Sequence, residues 1–167
     1  MAVANTKSGL ITNLDATPPV VNDIRVAGGA VRCQAATVEV AAADDAASTF
    51  RLFRIHSSDR IDKIELLNDA ITAGTSYDLG VYKTAADGGA VVDADVFGTA
   101  IDMSSARVTP LDATFEALNI DQIAKKLWEV LALASDPDLM YDIVLTANTP
   151  GTAAGTISGR CYFVMTD

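Results

Sequence analysis

Residues 48–84, STFRLFRIHSSDRIDKIELLNDAITAGTSYDLGVYKT, constrain the fold more than any other stretch of the chain. Three apolar runs occur here, at 50–55, 61–67 and 77–83, each of strand length and too short for a stable helix. His56-Ser57-Ser58-Asp59 and Asn68-Asp69 separate them with residues that favour turns. In the third run Tyr77, Leu79 and Val81 fall on one face, and Asp78, Gly80 and Tyr82 on the other. That period of two describes a strand with one buried side.

Similar signals continue on both sides. Residues 32–42 alternate loosely, with Val38 and Val40 against Thr37 and Glu39. Leu139, Tyr141, Ile143 and Leu145 oppose Asp142 and Thr146. Ile157, Gly159, Cys161, Phe163 and Met165 oppose Ser158, Arg160 and Tyr162, and the loop PGTAAG at 150–155 predicts a hairpin between these last two strands. A short strand is expected around Phe115, whereas 91–103 fits either a short helix or an irregular crossing. One helix is expected after Asn119, with Ile120, Ile123, Leu127 and Leu131 on one face and Asp136-Pro137 as its stop. About seven short strands, one helix and no β–α–β alternation predict a mainly β chain, an antiparallel β-sandwich of jelly-roll type.

Residues 1–29 depart from this pattern. Pro18-Pro19 forces an extended path, and the branched apolars Leu10, Ile11, Leu14, Val20, Val21 and Ile24 follow no clean period. The expected organisation is an extended N-terminal arm, 1–29, followed by a single sandwich domain, 30–167. The arm's apolars are candidate partner contacts. Trp128, the sole tryptophan, is a further candidate, because Trp is enriched where proteins dock, although core packing also accounts for it.

The net charge of −10 argues against a nucleic-acid partner, since phosphate binding relies on clustered cations and the only adjacent basic pair is Lys125-Lys126. No apolar run reaches the roughly eighteen residues of a membrane span, and no signal peptide is recognisable, so synthesis and first folding in a cytoplasm are expected. Cys33 and Cys161 form no C-x-x-C pair. They are read as reduced thiols, with pairing between neighbouring strands left open.

Candidate chemistry is sparse. His56, Ser57, Ser58 and Asp59 are the residue types of a catalytic triad, but four consecutive residues at a strand end do not converge on one centre. Asp93 and Asp95 could face one way and attract Ca²⁺, but their spacing is not that of an EF-hand loop and a solvated acidic loop accounts for them better. Glycine-rich phosphate loops are missing. No catalytic residue, metal site or cofactor is expected.

One resemblance adds to this reading. The 48–84 run, the sequel GAVVDADVFGTAIDMSSA, the elements Lys126-Leu127-Trp128-Glu129, Asp136-Pro137 and Tyr141-Asp142-Ile143, and the closing GTISGRCYFV resemble tailed-phage virion proteins of the head decoration, or cement, type. The likeness spans residues 30 to 165. It implies a jelly roll on the surface of an assembled head, forming dimers or trimers and bridging copies of the phage major capsid protein. A carbohydrate- or receptor-binding module of a virion appendage is the alternative, and an enzyme is a remote third.

Overall fold

The computed structural model describes residues 6–72, 75–114 and 122–165. Eight strands build two four-stranded antiparallel sheets. They are β1 (Val31–Val40), β2 (Thr49–His56), β3 (Arg60–Asn68), β4 (Ser76–Lys83), β5 (Val91–Asp102), β6 (Arg107–Asp112), β7 (Met140–Thr149) and β8 (Gly155–Val164). One sheet has the order β1-β8-β3-β6 and the other β2-β7-β4-β5. Chain-adjacent strands thus alternate between sheets except β4 and β5, which pair within one sheet, and the first four strands pair with the last four. This is a jelly roll, as the strand pattern leads one to expect.

The core is the contact between the two inner faces. Ile64, Leu66, Ile157 and Cys161 of one sheet meet Leu79, Val81, Ile143 and Leu145 of the other, all wholly buried. Each large aliphatic side chain removed from water contributes about 1.5–3 kcal/mol. Phe50 and Tyr77 meet edge to face, with ring centroids 6.0 Å apart.

Four details differ from the sequence reading. β7 and β8 do not form a hairpin; they are central strands of opposite sheets. The loop between them arches across the core, where Gly151 lies so close to Ile71 that a Cβ would stand 2.4 Å from its side chain. Proline and glycine marked a reversal there without specifying its partner. Secondly, residues 91–102 are a strand. Its alternation is hidden because β5 takes five steps, Asp93 to Gly98, where β4 takes two, Leu79 to Val81. The bulge lays its backbone on Gly80, where a Cβ would meet the Ala94 carbonyl carbon at 2.2 Å, and it turns Phe97 fully into the core.

Thirdly, β6 was not foreseen: Pro110 obscures it, and a proline is tolerated there because β6 is an edge strand. Of the strand expected around Phe115, Ala113 and Thr114 lie beyond β6, and 115–118 lie outside the described residues. Fourthly, the expected helix is one turn, α2 (Leu127–Val130). Asn119, Ile120 and Asp121 lie outside the described residues. Ile123 is exposed while Leu127 is buried, so the expected apolar face is not presented as a unit. The amides of Leu127 and Trp128 donate instead to the carbonyls of Asp59 and Ser57, at 2.8 and 3.0 Å. Tertiary hydrogen bonds therefore take the place of helical ones.

The N-terminal segment is not extended throughout. Ser8 caps a short helix, α1 (Gly9–Leu14), which has no buried residue. Its return path is fixed by Asn13, whose side-chain amide donates to Asn22 Oδ1 at 2.7 Å and whose carbonyl accepts from the Val20 amide at 2.9 Å.

Gly80→Ala is expected to lower stability by about 1–3 kcal/mol through overpacking, roughly 2–4 °C in Tm per kcal/mol. Thermal unfolding followed by circular dichroism measures this. An unchanged Tm would mean that the β5 bulge does not rest on β4.

Candidate interaction surface

One end of the sandwich collects what the core leaves over. The start of β1, the end of β8 and the start of β3 meet there, through the pairs Val31↔Val164 and Arg60↔Val164. The end of β2 and the start of β7 join them at His56↔Met140. The His56–Asp59 turn and α2 close this end.

Hydrogen bonds fix the corner. Ser57 is fully buried, and its hydroxyl donates to Asp136 Oδ1 and accepts from the Leu139 amide. Burial would raise the Asp136 carboxyl, but hydrogen bonds from the Ser57 hydroxyl and the Asp138 amide prevail and hold it below the usual range. Arg60 anchors the N-terminal segment by donating to the Arg25 carbonyl at 2.8 Å, and also reaches the Ile123 carbonyl at 3.4 Å. Gly29 packs against Val164 at the root of the segment.

The candidate contact residues lie in different settings. Ile11, Leu14, Val20, Val21 and Ile24 are exposed, Val21 by 93%. Leu10 is half-buried. Trp128 is half-buried on α2, with its indole nitrogen shielded from solvent. Seven of the thirteen exposed large apolar residues among those described lie between Ile11 and Val31. Met140 and Met165, also exposed, border an open groove of about 540 Å³ beside the arm's root. Phe163, Gln34, Arg54, His56 and Asp138 also line it.

His56 has the contacts of a relay without its setting. Nδ1 lies 2.7 Å from Ser58 Oγ, and Nε2 lies 3.3 Å from Asp138 Oδ1. The Ser58 amide, however, points back at the same Nδ1, so it does not serve a developing oxyanion beside its own hydroxyl. The Asp138 side chain is 92% exposed and gives the imidazole little fixed support. The arrangement closes the turn.

Cys33 and Cys161 are both free. Cys161 lies opposite Gln34, one residue on from Cys33, so the two thiols point to opposite faces of the sheet. Burial pushes the Cys161 thiol far up and keeps it inert. Among the described residues no group of three metal-binding side chains occurs, Asp93 and Asp95 included.

Sequence reasoning missed a charged cluster on the outer face of the second sheet. Asp142, 2% exposed, accepts from Arg51 at 2.8 Å and from Arg54 at 2.7 and 3.1 Å. Arg51 also donates to the carbonyls of Lys83 and Gly89, and its guanidinium lies 5.7 Å from the centre of the Tyr82 ring. A register shift between Arg51 and Phe53 puts two arginines three residues apart on one face. Arginines inserted in an apolar strand were the available signal; the bulge was not legible. The cluster clamps β2, β7 and the 84–89 turn together.

No family model matches the chain, and no curated protein matches its sequence. Among solved structures it is similar to the capsid of Ralstonia phage GP4, with a TM-score of 0.57, 14% identity, and coverage of 83% of this chain and 86% of that one. A weaker likeness is to the cyanophage Pam1 capsid asymmetric unit, with a TM-score of 0.44 at 14% identity over the same shares of the two chains. At this identity the first likeness establishes the fold.

Burial raises the Asp142 carboxyl, but the hydrogen bonds and charges of Arg54 and Arg51 outweigh it, and the folded value lies below the usual 3.8. Its contribution to stability is therefore complete above the unfolded value and lost as pH falls through the folded one. Asp142→Asn is expected to cost about 1–3 kcal/mol at pH 7 and to flatten the fall in Tm on acidification below about pH 4. Parallel melts of both proteins across that range test it; curves of equal slope would show that Asp142 does not carry the dependence.

Proposed function

We propose that the chain is a phage capsid decoration, or cement, protein, which binds the assembled head and stabilises contacts between major capsid subunits. The observation that carries this reading is the gathering of exposed apolar residues on the N-terminal segment and the end of the sandwich beside it. Monomeric proteins rarely leave such residues together unless something covers them. The jelly roll supplies a rigid body, and its likeness to the GP4 capsid agrees with a place in a virion shell. The protein would be made in the host cytoplasm and reside on the capsid surface.

In this role α1 is the adhesive element. Ile11 and Leu14, three residues apart on a helix, share a face and are 46% and 58% exposed. Leu10, Ile24 and Trp128 flank it as further partner contacts, and the partner is the major capsid protein. Many identical weak contacts on one shell act together through high effective concentration. Stabilisation then needs complementary shape and no reactive centre. The acidic body keeps the protein off packaged nucleic acid.

The alternative, a carbohydrate- or receptor-binding module, finds less support. Sugar platforms usually present aromatic rings, and among the described residues no aromatic side chain is exposed. Tyr77 is in the core, and Tyr82 is held by Thr146 and Arg51.

Purified protein is expected to co-sediment with expanded heads that lack it, saturably and in fixed ratio, and to raise the temperature at which those heads rupture. Ile11→Asp with Leu14→Asp is expected to weaken binding while leaving the protein's own Tm unchanged, because neither residue is buried. Failure of the unaltered protein to bind such heads would overturn the proposal.

A further inference from the structure

We propose that two copies of this chain pair by exchanging their N-terminal segments: Val20 and Val21 of one copy enter the groove floored by Phe163, Met140 and Met165 of the other. The inference deepens the adhesive reading of the arm, gives Val20-Val21 a role separate from that of α1, and requires no head.

Charge selects the occupant. Residues 1–31 contain Lys7 and Arg25 against Asp15 and Asp23, so they are neutral, and the whole net charge of −10 lies on 32–167. Two bodies meeting face to face would repel, whereas a neutral apolar strap can bridge them. Geometry agrees. The arm's root at Gly29 packs on the Val164 side chain, on the face of β8 opposite to its sequence neighbours Phe163 and Met165, which line the groove. In this structure none of residues 6–29 lines the groove, so a chain's own arm leaves it open. Gly29 and the Arg25 carbonyl are held to the body, so Val21 stands four residues before the last anchored point, a reach of up to about 13 Å when extended. Roots and grooves that share one end let two such ends face each other and each arm cross to its neighbour. Such a contact is reciprocal, as a two-fold pair requires.

The groove matches the segment in chemistry. Met140 and Met165 are flexible and adapt to branched side chains, and both are exposed in the single chain. Val21 is the most exposed of the described large apolar residues, at 93%. Pro18-Pro19 restricts the path just before it, which lowers the entropy lost when the segment docks.

Sedimentation velocity on the full chain is expected to show a dimer that is tighter at high ionic strength. Val21→Asp and Met140→Asp, both at exposed positions, are each expected to raise its dissociation constant roughly a hundredfold or more, with Tm unchanged when measured at concentrations where the unaltered protein is also monomeric. A monomer at all accessible concentrations, or a dimer indifferent to both substitutions, would overturn the proposal. Cross-linking separates exchange from docking within one chain. In a Cys33→Ser background, Val21→Cys and Met140→Cys are carried on separate chains, mixed and oxidised. A covalent heterodimer supports exchange. If only the doubly substituted chain cross-links, and does so internally, the arm serves its own groove and the proposal fails. Because heads play no part, loss of this dimer and loss of head binding are scored independently.

Discussion

The structure depends on the burial of two apolar sheet faces against each other, with β7 and β8 at their centres. Five consecutive residues of β7, Tyr141 to Leu145, are buried, since the strand is flanked by β2 and β4 and covered on both sides. β8 sits between β1 and β3 in the same way. Because each central strand pairs with one strand from early in the chain and another from further along it, neither sheet closes until the C-terminal third has arrived. Folding is thereby tied to long-range pairing, which is slow but cooperative.

That arrangement leaves edges and ends. β1 is a ten-residue edge strand, held to the opposite sheet where the Gln34 side chain bonds both the amide and the carbonyl of Arg54. The side chain occupies the place of a neighbouring strand beside β2, itself an edge strand, and covers part of the open edge of β2. The end where β1 begins carries the N-terminal segment and the open groove. The N-terminal segment is neutral and rich in exposed apolar residues while the body carries the whole net charge, which divides the chain into a part suited to contact and a part that stays solvated. The Asp142 cluster lies on the outer face of the other sheet and serves rigidity.

Much of the architecture is legible in the chain because strands write a period of two wherever one face is buried. β4, β7 and β8 show it, and β2 and β3 are legible as apolar runs of strand length between turn residues. The signal fails where the backbone departs from regular pleating. The β5 bulge shifts the alternation, Pro110 disguises β6, and the bonds from Leu127 and Trp128 to the Ser57–Asp59 corner replace the helix that local spacing suggests. The hairpin expectation erred for a related reason: a short loop fixes that the chain reverses but leaves open which sheet receives it.

The candidate surface divides the same way. Leu10, Ile11, Leu14, Val20, Val21 and Ile24 stand out in sequence as apolars without a period, and Trp128 as the single tryptophan. Composition also determined that the body is acidic and the arm neutral, because charge is carried by residue identity alone. Only the tertiary structure decided that Arg51 and Arg54 share Asp142, that Cys33 and Cys161 face apart, and that a groove opens beside the arm's root. Each of these depends on which strands become neighbours and in what register. In a jelly roll those neighbours are set by packing across the whole chain, beyond the reach of any local pattern.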